Sequence, residues 1–195
     1  TWTEGFNIAG GNDLYKDFIT RRKTALTKEA KEFGLRPPKG VIIAGPPRTG
    51  KSLLAKCTSS EYGLPLIKFE AAKAGGGILN EMTSKMLIIT NTLDTVGHAI
   101  FWIDEIEKVF AGISPGQISD SAGAEIARAY GSFLSWLQER DPNGMVFVIG
   151  VCNNIDALPP EATGKGRFDE IFWVDLPSQK EREEIFKIHL RKNKR

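Results

Sequence analysis

Val41-Ile42-Ile43-Ala44, running straight into Gly45-Pro46-Pro47-Arg48-Thr49-Gly50-Lys51-Ser52, is the stretch on which the fold of this chain turns. Four apolar residues bounded by turn formers read as a strand buried on both faces, the kind found inside parallel sheets. The octet after it fits G-x-x-x-x-G-K-[ST]. Its glycines let the backbone wrap so that successive N–H groups face inward at the start of a helix, where anionic oxygens are held. In that geometry Lys51 reaches the outer phosphates of a nucleoside triphosphate, and the Ser52 hydroxyl ligates magnesium. By composition alone such an octet arises about once in a hundred chains of this length. Its place between a strand and a helix makes accident rarer still.

Working outward, Asp13 to Phe33 reads as one or two lysine-rich helices closed by Gly34, and Arg36-Pro37-Pro38-Lys39-Gly40 breaks the helix ahead of the strand. A helix from Leu53 to Ser60 follows the octet. The rhythm then repeats: strands over Leu64–Phe69, His98–Ile103, Met145–Val151 and Ile171–Leu176, with helices over Asn80–Leu93 and Ala124–Leu137. Strands alternating with helices imply right-handed crossovers and a parallel sheet covered on both faces, a three-layer α/β domain. The tail, Ser178 to Lys194, has a serine cap, an acidic first turn and a basic last turn, the end chemistry of a helix.

Ala99-Ile100-Phe101-Trp102-Ile103-Asp104-Glu105 ends an apolar run in two acids, which places carboxylates at the C-terminal edge of the sheet, where ligands bind in open α/β folds. Asp104 is the candidate to hold magnesium through water, and Glu105 to orient and deprotonate an attacking water. The competing reading is an acidic helix start, since Glu105 and Glu107 also favour a helix N-terminus. Asn153 closes the next apolar run. Its amide suits a hydrogen bond to a γ-phosphate or a lytic water, or simply a turn. Arg167, in Gly164-Lys165-Gly166-Arg167-Phe168-Asp169, suits either charge neutralisation at a neighbouring copy's γ-phosphate or an ion pair with Asp169 or a nearby acid.

The chain has 195 residues with 41% hydrophobic content, enough for one substantial core. Lysine and arginine number 26 against 24 acids, so charge offers no case for nucleic acid or anionic membrane as a partner. The basic end, Arg191 to Arg195, reads as a solvated helix end. Cys57 and Cys152 lie far apart in apolar runs, without metal-type spacing, and read as buried free thiols. No apolar stretch is long enough to span a bilayer and no leader-like segment opens the chain, so a soluble, intracellular protein is expected. The first residue, Thr1, leads us to expect a piece of a longer polypeptide.

The octet, Trp102 to Lys108 (WIDEIEK), Asn153 to Asp156 (NNID) and Gly166 to Phe172 (GRFDEIF), in that order, resemble the AAA branch of the AAA+ ATPases. Within it, the resemblance is nearest to the hypothetical-reading-frame AAA proteins of cyanobacteria and algal plastids, and it covers about Phe6 to Leu190. It implies a five-stranded parallel sheet ordered 5-1-4-3-2, with residues 1–177 as the nucleotide-binding α/β subdomain and 178–195 as the first helix of a helical lid. It implies ATP and Mg²⁺ as ligands. Pro47, Arg48, Thr49, Gly50, Lys51, Ser52 and Leu53 then surround the phosphates, Ser52 and Asp104 serve the metal, and Ile8, Ala9 and Gly10 read the adenine edge.

Glu105, Asn153 and Arg167 become the catalytic set by the same resemblance, and Arg128 an interface arginine. The family assembles as rings, most often hexamers, which implies ATP-dependent homo-oligomers acting on a protein partner, in cytoplasm or plastid stroma. Three positions depart from the pattern. Arg48 stands where the family has glycine, Gly164 where it has a first finger arginine, and Ala74 to Ile78 replace an aromatic pore loop. Asn80-Glu81-Met82-Thr83 also replaces the family's usual Gly-Glu-Ser-Glu. These departures favour an alternative, a nucleotide-gated switch with little turnover.

Overall fold

The computed structural model describes residues 2–70, 80–110, 121–140, 144–164 and 166–193. Five strands, β1 (Gly40–Ala44), β2 (Leu66–Glu70), β3 (His98–Asp104), β4 (Met145–Cys152) and β5 (Glu170–Trp173), form one sheet in the order β2-β3-β4-β1-β5. Every pairing is parallel. Read from its other end, this is the order 5-1-4-3-2 expected above. The helices are α1 (Asp13–Lys23), α2 (Lys28–Glu32), α3 (Lys51–Tyr62), α4 (Asn80–Val96), α5 (Ile106–Val109), α6 (Ser121–Glu139) and α7 (Gln179–Lys192). The segment Ala74 to Ile78, compared above with a pore loop, lies outside the described residues, as do the side chains of Asn80 to Thr83.

The apolar run of each central strand divides by parity between two cores. Ile42, Ala44, Phe101, Ile103 and Val148 meet Met86, Leu93, Phe133 and Leu137 from α4 and α6. Val41, Ile43, Ile100, Trp102 and Ile149 meet Tyr15, Ile19, Leu54 and Cys57 from α1 and α3. Alternating side chains point to opposite faces, so a strand covered on both sides must be apolar throughout. That is why Val41 to Ala44 carries no polar residue and is wholly buried. Both cysteines are buried and unpaired, and burial pushes the Cys57 thiol up to about 11 and the Cys152 thiol up to about 12. No helix among the described residues is long and apolar enough to cross a membrane.

One expected strand is shorter than its composition indicates. The run Ile171 to Leu176 pairs only to Trp173, and Val174 gives a last N–H to the carbonyl of Ala44 at 2.7 Å. Beyond Ala44 the neighbouring β1 has turned away, which leaves Asp175 and Leu176 no ladder to join. Gly45 makes that turn with φ +148, and a Cβ there would lie 2.0 Å from the carbonyl oxygen of Val174. The C-terminal helix is well capped: the Ser178 hydroxyl accepts from the Glu181 N–H while the Glu181 carboxylate accepts from the Ser178 N–H.

Gly45→Ala is therefore expected to destabilise the chain by about 2–4 kcal/mol, the sum of overpacking and an unfavourable φ. Gly34→Ala, also at positive φ but with nothing within 4 Å, should cost only about 1 kcal/mol. Chemical unfolding of the two variants side by side measures the difference; equal losses would show that the Val174 contact is not the constraint.

Candidate functional site

The sheet brings the sequence-separated candidates to one edge. Ala44, at the end of β1, is in register with Cys152 of β4, and Asp104, at the end of β3, is in register with Val151. The phosphate loop, the Asp104–Glu105 pair and Asn153 thus all leave the C-terminal edge of three adjacent strands. Parallel strands point their ends the same way, so residues that terminate them must share an edge.

Gly50, at φ +93 and ψ 6, caps α3 and turns the loop into the helix. The Leu53 and Leu54 N–H groups both donate to the Gly50 carbonyl, at 2.9 and 3.1 Å. The earlier amides of the first turn have no partner one turn back, which is the ordinary state of a helix N-terminus. The Lys51 side chain is only 4% exposed, and its ammonium donates to the carbonyls of Gly45 at 2.7 Å and Pro46 at 2.5 Å. Burial pulls its pKa below the usual lysine range, while Cys152, Glu107 and Asp104 pull the other way. The loop thus holds a buried cation against its own carbonyls beside a row of amides, a donor set that suits phosphate oxygens. Ser52 is exposed at the same end, Thr49 donates its hydroxyl to the Pro46 carbonyl at 2.9 Å, and Pro47 is exposed.

Each acid has a cationic neighbour. Asp104 lies 3.2 Å from Lys68, whose ammonium also meets Glu70 at 2.6 Å and sits 4.5 Å from the centre of the Trp102 ring. Partial burial works against the charged Lys68, but the hydrogen bonds its ammonium donates to Glu70 and Asp104 outweigh it and raise its pKa. Glu105 lies 2.7 Å from Lys108, whose pKa rises through that hydrogen bond. Glu105 itself sits at φ +54, one of three non-glycine residues with positive φ among the described residues. Such a conformation costs on the order of 1 kcal/mol and clusters at functional positions. Glu107, in the first turn of α5, accepts the Asn153 N–H at 3.1 Å, and its other oxygen is buried without a partner among the described residues. The sequence reading missed these three contacts. Lys108 was legible as an i,i+3 neighbour of Glu105, whereas Lys68 depends on the β2–β3 register.

A cleft of about 1310 Å³ runs from Thr49, Gly50 and Leu53 past Ile8 and Gly10 to Glu181 and Ile185 of α7. Its walls do not include Asp104, Glu105 or Asn153. Ala9 is buried, and α7 rests on this segment: the Gly11 N–H donates to Glu184 at 3.2 Å and the Asn12 N–H to Glu181 at 3.4 Å. Arg167 is not at this edge. It precedes β5, whose Glu170 pairs with Val41, so it stands at the opposite end of the sheet from the phosphate loop. It makes no use of Asp169: its guanidinium donates to the Glu161 carbonyl, and its buried Nε has no partner among the described residues. Arg128 is exposed on α6.

Arg48 is exposed, lines the cleft and adopts φ +67, the conformation for which glycine is suited. Relief of about 1–2 kcal/mol of left-handed strain, less the backbone entropy glycine loses on folding, makes Arg48→Gly stabilising by about 0.5–1 kcal/mol. Thermal unfolding without nucleotide measures this, and a lower midpoint would contradict the strain.

The family model for the ATPase family associated with various cellular activities (AAA) matches residues 41–176. The AAA domain-containing protein ycf46 of Pyropia yezoensis is 42% identical over 183 residues, covering 94% of this chain and 36% of the relative. Its counterpart in Guillardia theta is 42% identical over 186 residues, covering 95% of this chain and 35% of the relative. A proteasome-activating nucleotidase of Archaeoglobus fulgidus is 37% identical over 164 residues, covering 84% of this chain and 40% of the relative. The chain thus spans 35 to 40% of the length of these relatives. The nearly end-to-end likeness at 42% identity, joined to a family match across all five strands, carries the conclusion: this chain belongs to the AAA family.

Proposed function

We propose that the chain hydrolyses ATP in a magnesium-dependent reaction, by in-line attack of water on the γ-phosphate, and works as part of a homo-oligomeric ring that remodels a protein partner. The observation that carries this reading is the convergence of the buried Lys51 ammonium, the Asp104–Glu105 pair and Asn153 on one edge of adjacent strands. Lys51 and the α3 amides bind the β- and γ-phosphates. Ile8, Ala9 and Gly10 meet the base in the cleft that α7 helps to close. Residues 1–177 are the nucleotide-binding unit and 178–195 the first helix of a lid.

Ser52 and Asp104 are the residues to hold Mg²⁺. The described residues contain no cluster of three or more His, Cys, Asp or Glu side chains able to hold a metal. A cation bound by one hydroxyl, one carboxylate, water and substrate oxygens is what Mg²⁺ accepts. Held there, the ion would supply positive charge that offsets the charge developing on the phosphate oxygens. Glu105 takes the proton of the attacking water once Lys108 releases it. Asn153 donates to the γ-phosphate or that water without adding charge. Arg167, a sheet's length from its own phosphate loop, serves the site of a neighbouring copy.

The relation to proteasome-activating nucleotidases supports a protein substrate. The near-neutral charge speaks against nucleic acid, and the ycf46 relatives support a soluble setting in cytoplasm or plastid stroma. A second reading, a nucleotide-gated assembly switch, is favoured by Arg48 at positive φ and by glycine at position 164.

Glu105→Gln should keep ATP affinity while lowering turnover at least about a hundredfold, whereas Lys51→Ala should abolish binding. Nucleotide titration and phosphate release measure the two. Unchanged turnover in the first variant would remove Glu105 from the chemistry, and unchanged affinity in the second would remove Lys51. Wild-type turnover per chain should rise with protein concentration; a flat, near-background rate would favour the switch.

A further inference from the structure

At the sheet edge opposite the phosphate loop, two short segments far apart in sequence are tied together. Lys39-Gly40 enters β1 and Gly166-Arg167-Phe168-Asp169 enters β5. One oxygen of the Asp169 carboxylate accepts both the Lys39 N–H, at 2.6 Å, and the Gly40 N–H, at 2.9 Å. The Asp169 N–H returns a bond to the Gly40 carbonyl at 2.7 Å. The Lys39 ammonium donates to the carbonyls of Gly166 and Gln138, each at 2.7 Å. Arg140, lying over the Trp136 ring at 5.5 Å, donates to the Lys39 carbonyl.

These bonds bracket Arg167 and Phe168. Gly166, before Arg167, is held by the Lys39 ammonium; Asp169, after it, is held by the start of β1; and Phe168 between them is buried in the core. Arg167 lies between these anchors, half-buried, with one guanidinium nitrogen on the Glu161 carbonyl. Gly166 has φ +92, so without the Lys39 tether this loop has wide conformational freedom just where the arginine is presented. The five-residue β1 separates the cluster from its own phosphate loop by about 15 Å. No group in it reaches its own phosphate loop.

We infer that Asp169 and Lys39 are positioning residues for Arg167, setting the direction in which its guanidinium is offered to the nucleotide site of a second copy of this chain. This rests on the reading that Arg167 acts between copies. A misplaced charge at a phosphoryl-transfer site loses most of its effect over about 1 Å. A loop pinned on both sides therefore does what a free one does not.

The test uses mixtures of full chains. Asp169→Ala alone should bind ATP with unchanged affinity but turn over about tenfold or more slowly. Asp169→Asn, which keeps an acceptor oxygen in the same place, should stay nearer wild type. Glu105→Gln copies are inactive at their own site but carry an intact Arg167 loop, so adding them to Asp169→Ala should restore turnover above the sum of the two alone. Arg167→Ala mixed with Glu105→Gln is the reference for the underlying reading. If Arg167→Ala is rescued and Asp169→Ala is not, the positioning role is wrong while the between-copies role of Arg167 stands. If neither is rescued, both are wrong. Full turnover of Asp169→Ala alone, or loss of its ATP affinity, would equally overturn the inference.

Discussion

The turn out of β1 constrains everything around it. The strand ends buried inside the sheet at Ala44, and the chain must reverse into α3 between Gly45 and Gly50. Gly45 passes so close to the Val174 carbonyl that no side chain fits, and Gly50 closes the loop in a left-handed conformation. What this turn leaves behind is a row of helix-start amides and an ammonium buried among carbonyls. A buried cation is tolerated only with acceptors around it. Lys51 finds them in Gly45 and Pro46, and phosphate oxygens are stronger acceptors of the same geometry.

The acidic side of the edge is balanced in a different way. Lys68 stands against Asp104 and Glu70, and Lys108 against Glu105. The lysine side chains are 35% and 50% exposed, and ion pairs so open to solvent add little stability. Such pairs keep neighbouring carboxylates from repelling one another, yet they yield at little cost to a competing cation or a change of conformation. Glu107 meets a backbone N–H rather than a lysine. Through the Asn153 N–H it links the start of α5 to the residue just beyond β4.

A single sheet also separates the two halves of the proposed chemistry. Phosphate loop, acids and Asn153 leave its C-terminal edge, while Arg167 and its Lys39–Asp169 anchor sit at the N-terminal one. The five-residue β1 keeps the two edges about 15 Å apart. On the reading proposed above, the arginine and the phosphates meet only when copies are arranged edge to edge, and assembly becomes part of the active site.

Element type and edge were legible because both rest on local chemistry. An apolar tetrapeptide between turn formers is a two-sided strand, a glycine-bounded G-K-S opens a helix, and acids after an apolar run fall at the strand's end. The strand order came from resemblance, and the sheet has it. Composition misled at Val174 to Leu176, which look like a strand but lack a neighbour once β1 has turned away. The sequence by itself determined which residues reach each edge, since that follows from strand direction and the two-residue period. Only the tertiary structure decided which cation faces which acid, that Arg48 sits at positive φ, and that Asp169 binds the start of β1 rather than Arg167. Those outcomes depend on register and loop geometry between segments up to about 130 residues apart, and nothing in a residue's own neighbourhood encodes them.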